Sequence, residues 1–280
     1  MRSQKEKAND LLRLHSGGEM LVLPNVWDPL GARVLEAKGY PAVATASAAV
    51  SASLGFADGE IIRRSTMIDL IGRIARSVDV PVTADMEEGF GSSISELKET
   101  IDQVLESGVV GVNLQDSLDS AEHRLRPIDE QCQRLAAARE VANARNVHLV
   151  INARVDSFLS SSFPDKTKAL QEAATRAKAY TAAGADCIYP IGPGDEPTVR
   201  ALRDKIQSPI NIIASPTAAP LSVLRKIGVN RVSFGPFVFR TCLAKFVEIV
   251  DAVGRVDGYA YLKDMMPGPE AAKFLRAGRE

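Results

Sequence analysis

Short runs rich in Val, Ile and Ala recur along the chain, and each is followed by a longer stretch whose apolar residues fall at helical spacing. The runs read as strands: LVLPNV from Leu21, AVATAS from Ala42, PVTADME from Pro81, VVGVNLQD from Val109, HLVINARVD from His148, DCIYPIG from Asp186, INIIAS from Ile210 and RVSFGP from Arg231. The stretches between them read as helices over Pro29 to Lys38, Ile61 to Ser77, Ile94 to Ser107, Asp129 to Ala144, Lys166 to Ala183, Glu196 to Ile206, Leu221 to Ile227 and Phe237 to Val253. Gly39, Gly108, Gly184 and Gly228 each fall just past a helix, where a left-handed capping residue is commonly needed. The strands are apolar on both sides of their alternation, as in a parallel sheet covered by helices. Roughly eight βα units result, which predicts an α/β fold, a closed (β/α)8 TIM barrel.

No Ser/Gly-rich linker, charge block or compositional shift divides the chain. Residues 1–280 are therefore expected to form a single barrel domain, with an N-terminal helix over 1–18 and a C-terminal helical extension over 258–280. Lys plus Arg number 34 against 35 Asp plus Glu, a net charge of -1, which offers no electrostatic reason to expect nucleic acid or an anionic membrane as partner. A small molecule suits the chain better. Cys132, Cys187 and Cys242 lie far apart and form neither a disulfide framework nor a zinc spacing. No apolar run approaches membrane-spanning length, and the charged start lacks a signal-peptide core. A soluble, cytoplasmic protein is the expectation.

In such barrels the active site forms at the C-terminal ends of the strands. Polar residues gather there: Asn25, Trp27 and Asp28 after the first run, then Thr45 and Ser47, Asp85 and Glu87, Gln115 and Asp116, and Asn152, Arg154 and Asp156. On an extended strand Asp85 and Glu87 project to one side while Met86 points away. Two carboxylates in a dry place need a cation, a shared proton or water; a hard divalent metal and a structural ion pair with a core arginine are both open readings. Arg154 in NARVD is either a buried partner of Asp156 or a fork for a substrate carboxylate or phosphonate. His123, with Arg124 and Arg126, follows the fourth strand and is either a surface histidine or an acid/base. His15 and His148 read as structural, and Gly192, Gly194 and Gly235–Pro236 match a phosphate loop only weakly.

The segments LPNVWDPLGARVLEAKGY, ATASAAVSASLGFADGE, VTADMEEGFG, GVVGVNLQDS and INARVDSF resemble the isocitrate lyase/phosphoenolpyruvate mutase superfamily over nearly the whole chain. The branch most resembled is the one whose members mostly lack a demonstrated reaction. The resemblance implies a Mg2+ site, with Mn2+ as a substitute, in which Asp85 binds the ion while Asp58 and Glu87 hold its waters and Gln115 stands nearby. It implies a 2-oxo acid whose carboxylate meets backbone amides near Ala46, Ser47 and Ala48 and whose far end meets Arg154. Trp27, Thr45 and Asn152 complete the candidate substrate-binding residues, and Asp58, Glu87, Arg154 and His123 are the candidate catalytic ones. Homotetramers that exchange their final helices are also implied.

Three departures narrow the chemistry. The lyase branches carry a KRCGH-type loop with an acid/base cysteine where this chain reads SLDSAEHRLRPIDEQ. Gln115 replaces a Glu, and Phe90 replaces the Tyr of the usual GYG. A reaction asking mainly for enolate stabilisation fits best: a Mg2+-dependent carbon–carbon lyase or decarboxylase acting on a small 2-oxo or 2-hydroxy (di)carboxylic acid. The alternatives are phosphorus–carbon chemistry, as in phosphoenolpyruvate phosphonomutase or phosphonopyruvate hydrolase, and a barrel that binds a 2-oxo acid without turnover.

Overall fold

The first strand read from the sequence is split in two. Pro24 has no N–H to give to a ladder, and it separates β1 (Leu21–Leu23) from β2 (Asn25–Val26), which pair in different sheets. The computed structural model describes residues 2–118, 123–255 and 258–275. Helix α1 (Gln4–Ser16) precedes these strands; after them come α2 (Pro29–Ala37), β3 (Val43–Thr45), α3 (Ser47–Ser53), α4 (Arg64–Ser77), β4 (Val82–Asp85) and α5 (Ile94–Glu106). The chain continues through β5 (Gly111–Gln115), α6 (Ile128–Ala144), β6 (Val150–Val155), α7 (Lys166–Ala182), β7 (Cys187–Pro190), α8 (Glu196–Lys205), β8 (Asn211–Ile213), α9 (Leu221–Ile227), β9 (Arg231–Ser233) and α10 (Phe237–Gly254).

Strands β2 to β7 pair in sequence order as one parallel sheet, and β1, β9 and β8 form another. A parallel bridge between Ile188 and Ile210 joins β7 to the residue before β8. Since β1 and β2 are two halves of one staggered strand, the ladders close into the expected (β/α)8 barrel. The four helix-ending glycines all have positive φ, and Gly228 caps α9 in the left-handed region at 90°.

Each outer helix turns one apolar face inward. Helix α5 starts at a Ser93–Glu96 capping box and buries Leu97, Ile101, Val104 and Leu105 against the barrel. Each such side chain contributes roughly 1.5–3 kcal/mol by leaving water. Helix α10 differs: none of its residues is buried, and Phe246 and Val250 are 62% and 51% exposed. It touches the barrel at its start, where Phe239 meets Trp27 edge-on with centroids 5.1 Å apart.

Helix α1 closes the other end. Gln4 Nε2 donates to Leu105 O and Val109 O ahead of β5, and Asn230 Nδ2 ahead of β9 donates to His15 O. Helix α3 was not expected from the sequence, where small SAAVSAS carries little periodicity. Helix α4 starts at Arg64 rather than Ile61. Beyond Gly258 the described tail holds a 3-10 turn (Ala260–Leu262), a short α11 (Gly268–Ala271) and a second 3-10 turn (Ala272–Phe274) that lies against α2. Pro267 and Pro269 deny their N–H groups to any longer helix. Residues 276–280 of the expected extension lie outside the described residues.

Candidate active site

Asp85 is the last residue of β4, and its neighbours in the ladders hold it in place. Its amide donates to Thr45 Oγ1 at 3.1 Å, while Ser47 N and Ser47 Oγ donate to its Oδ2 at 3.1 and 2.9 Å. Asn113, in register with it on β5, reaches Oδ1 at 3.4 Å. Asp58 comes from the loop between α3 and α4, and its carboxylate also takes a bond from the Ser47 side chain; burial and then Asp85 raise its pKa.

Glu87 joins them by a route other than strand alternation. The ladder ends at Asp85, Met86 is buried, and Glu87 has a left-handed φ of 49°. The turn, held by Gln115 N donating to Glu87 O at 2.8 Å, brings the carboxylate back. The convergence expected from the sequence is present, and its cause is a turn. Glu87 is 3% exposed; burial first, then Asp58, Asp85 and Glu60, push its pKa up to about 8. Glu88 points elsewhere and accepts from Arg126 at 3.0 Å.

A cavity of about 160 Å3 opens beside Asp58 and Asp85. Ala46, Ser47 and Ala48 line it near the carboxylates, and Arg154, Tyr189 and Arg240 line it as well. Arg154 spends Nε and one terminal nitrogen on Asp156, at 2.6 and 2.8 Å. Burial opposes its charge, but Asp156 outweighs this and holds the guanidinium protonated. Both readings of Arg154 thus apply: it is an ion-pair partner and a cavity wall.

Asp156 is fully buried and also accepts from Ser117 Oγ at 3.0 Å and meets His123 Nδ1 at 3.1 Å. His123 has a φ of 48° at the returning end of a loop whose base is closed by Arg126 N donating to Asp116 O at 2.7 Å. It stands behind Arg154 and does not line the cavity; residues 119–122 of the same loop lie outside the described residues. Cys132 is half-buried on α6, with its thiol pKa raised by burial and Asp129.

Other sequence candidates support the wall from behind. Thr45 positions Asp85, Trp27 meets Phe239 edge-on, and Asp28 caps α2 through Gly31 N at 2.6 Å. Asn152 is fully buried and donates to Asn113 Oδ1 at 2.8 Å. Gln115 is buried in register with Arg154, outside the cavity lining. His15 and His148 are at the opposite end of the barrel, His148 against Asp186 at 2.8 Å.

Sequence reasoning missed Arg240 and Tyr189. Arg240 sits in the first turn of α10, exposed at the cavity mouth, with no ion pair or side-chain hydrogen bond among the described residues. A guanidinium just past Gly235–Pro236, at the eighth strand end, was the available signal.

The donors at this site suit a hard cation. Asp58, Asp85 and Glu87 are carboxylates, and Glu87 Oε1 is buried without a hydrogen-bond partner, as expected of an oxygen whose partner is a cation or its water. Among the described residues no three His, Cys, Asp or Glu side chains group closely enough to hold a metal by themselves. Mg2+ commonly binds through one or two carboxylates and keeps several waters, so this donor set fits it.

A family model described as phosphoenolpyruvate phosphomutase matches residues 11–254. The uncharacterized protein Rv1998c of Mycobacterium tuberculosis is 34% identical over 223 residues, 79% of this chain and 80% of its own. Oxaloacetate decarboxylase of Paraburkholderia xenovorans is 27% identical over 207 residues, 71% of this chain and 66% of its own. A crystal structure of a candidate phosphonomutase from Burkholderia cenocepacia superposes with a TM-score of 0.83 at 35% identity, covering 89% of this chain and 99% of that one.

Proposed function

Because the chain belongs to the phosphoenolpyruvate phosphomutase family, within the isocitrate lyase/phosphoenolpyruvate mutase superfamily, we propose that it is a Mg2+-dependent carbon–carbon lyase or decarboxylase. Its substrate is a small 2-oxo or 2-hydroxy dicarboxylic acid. One observation carries the reading: a cavity of about 160 Å3 has Asp58 and Asp85 among its walls together with Arg154 and Arg240. Such a charge-separated cavity suits a molecule with an oxo-acid end and a second anionic end. The oxaloacetate decarboxylase relative points to the same class.

Asp85, with Asp58, Glu87 and Gln115 around it, would hold the ion. Bound Mg2+ would supply Lewis-acid stabilisation of the charge that builds on the substrate's 2-oxygen. The amides of Ala46, Ser47 and Ala48 receive the adjacent carboxylate, while Arg154 and Arg240 receive the distal acid group. Asp156 fixes Arg154 by two bonds, so the guanidinium meets the substrate without first losing rotamer freedom. In decarboxylation the carbon–carbon bond breaks, its electron pair passes into the enolate, carbon dioxide leaves, and a proton returns to carbon. A proton donor must reach that carbon, and His123, held at Nδ1 by Asp156 outside the cavity lining, would act on the reaction by steadying the Asp156–Arg154 pair. Cys132 on α6, its thiol pKa raised by burial, does not replace the acid/base cysteine of the lyase branches.

The test is metal-dependent release of carbon dioxide and pyruvate from oxaloacetate above the background of metal alone, abolished in Asp85→Ala. Phosphate or phosphoenolpyruvate released from phosphonopyruvate instead would replace this reading by phosphorus–carbon chemistry, which the 35% identical candidate phosphonomutase favours. Saturable oxalate binding with no turnover would leave a binding barrel, the reading to which Gln115 and the absent loop cysteine lean. The exposed apolar face of α10 supports association between copies of the chain; the homotetramer with exchanged final helices is the form that the family resemblance implies.

A further inference from the structure

The loop between α3 and α4 carries Asp58 to the cavity, yet little of it is packed. Residues 52–58 are exposed, and Phe56 and Ile61 show 50% and 62% of their surface to solvent. Ile62 is buried at the loop's end and Glu60 is half-buried. Glu60 is bonded to the turn after β4 in both directions. Its amide donates to Glu87 Oε2 at 2.9 Å, and its Oε1 accepts from Phe90 N at 2.8 Å.

That turn is a firm support. Arg134, buried on α6, donates to Glu88 O at 2.6 Å, Gly91 O at 2.9 Å and Ser92 O at 3.3 Å. Glu60, Glu87 and Phe90 have φ of 56°, 49° and 52°, three of the five described non-glycine residues in the left-handed region. Such conformations persist where surrounding bonds over-determine them. Here the bonds that do so also join the loop to the turn.

We propose that Glu60 is a positioning residue: its paired bonds to Glu87 and Phe90 lock the loop in the geometry that presents Asp58 to the cavity. The consequence for catalysis rests on the Mg2+ site proposed above; the latch itself rests only on the bonds. Without the Glu60 carboxylate, the Phe90 amide loses its acceptor, and between loop and turn the backbone bond from Glu60 N to Glu87 remains. A carboxylate–amide bond of this kind is strong enough to shift opening on the order of 10-fold.

Glu60→Ala, Glu60→Gln, Asp58→Ala and the double variant Asp58→Ala/Glu60→Ala test this against the wild type. Trypsin cleavage at Arg63, the last loop residue, is expected to quicken on the order of 10-fold in Glu60→Ala with an unchanged thermal midpoint. In Glu60→Gln it should stay at the wild-type rate, because the amide oxygen still accepts from Phe90 N. Mg2+-dependent oxalate binding, followed by calorimetry, should weaken in Glu60→Ala and lose nothing further in the double variant beyond Asp58→Ala alone. Wild-type cleavage in Glu60→Ala, or additive binding losses, would overturn the proposal. If the wild-type protein binds no oxalate, the Mg2+ site reading fails instead, while the cleavage rates still decide the latch.

Discussion

Single side chains at the mouth do separable work. Arg154 is committed to Asp156, whereas Arg240 has no side-chain partner among the described residues at the cavity entrance. Arg240→Ala should therefore raise KM for a dicarboxylic 2-oxo acid on the order of 10–100-fold with little change in kcat, since it removes binding made equally in ground and transition states. Steady-state kinetics check this, and an unchanged KM removes Arg240 from substrate binding. At the other end of the barrel, His15 is 2% exposed, with Nδ1 2.8 Å from Leu11 O and Nε2 3.4 Å from Arg231. Burial, and then Arg231, lower its pKa to about 4. The unfolded chain, with a histidine pKa near 6.5, takes up this proton first as pH falls. Its contribution to stability is full above about pH 6.5 and is lost as pH falls toward 4, by about 3 kcal/mol. Urea unfolding at pH 7 and pH 4.5 should show that loss, and His15→Gln should flatten it. The sequence marked His15 as structural, but the buried guanidinium beside it comes from β9 and no local pattern pairs them.

Among the elements, the strand order and most helix spans were legible because periodicity and turn residues act locally. The split of Leu21–Val26 was legible in principle at Pro24. Helix α3 was not, since SAAVSAS lacks large apolar residues at helical spacing and is held by the barrel around it. Packing between elements is tight at the start of β5. A Cβ on Gly111 would come within 2.7 Å of Leu11 Cδ2 and 2.9 Å of Thr83 Oγ1, between α1 and β4. Gly111→Ala should therefore destabilise the fold by about 1–3 kcal/mol in urea unfolding. The effect should reach Asp85 on β4 through register, as weaker binding at the proposed Mg2+ site relative to wild type. The turn after β4 shows the limit of strand reasoning: alternation placed Glu87 beside Asp85 for the wrong geometric reason, and a left-handed residue did what the pleat did not.

For the whole molecule, α10 is the element that the barrel alone does not explain. A helix of this length with Leu243, Phe246, Val247 and Val250 between 47% and 62% exposed leaves a large apolar face uncovered by the described residues. Phe246→Asp should shift the proposed oligomer to smaller species in sedimentation velocity without unfolding the barrel, whose own core does not include that residue. Among the described residues no helix is long and apolar enough to cross a membrane. By itself the sequence determined the βα rhythm, the closed barrel and the strand end that carries Asp85, because hydrophobic periodicity, capping and turn chemistry act between near neighbours. Only the tertiary structure decided that Glu60 seats on Phe90, that Arg154 answers to Asp156, and that Arg240 returns to the mouth. Barrel closure makes neighbours of loops far apart in the chain, and such meetings leave no periodic trace in either segment.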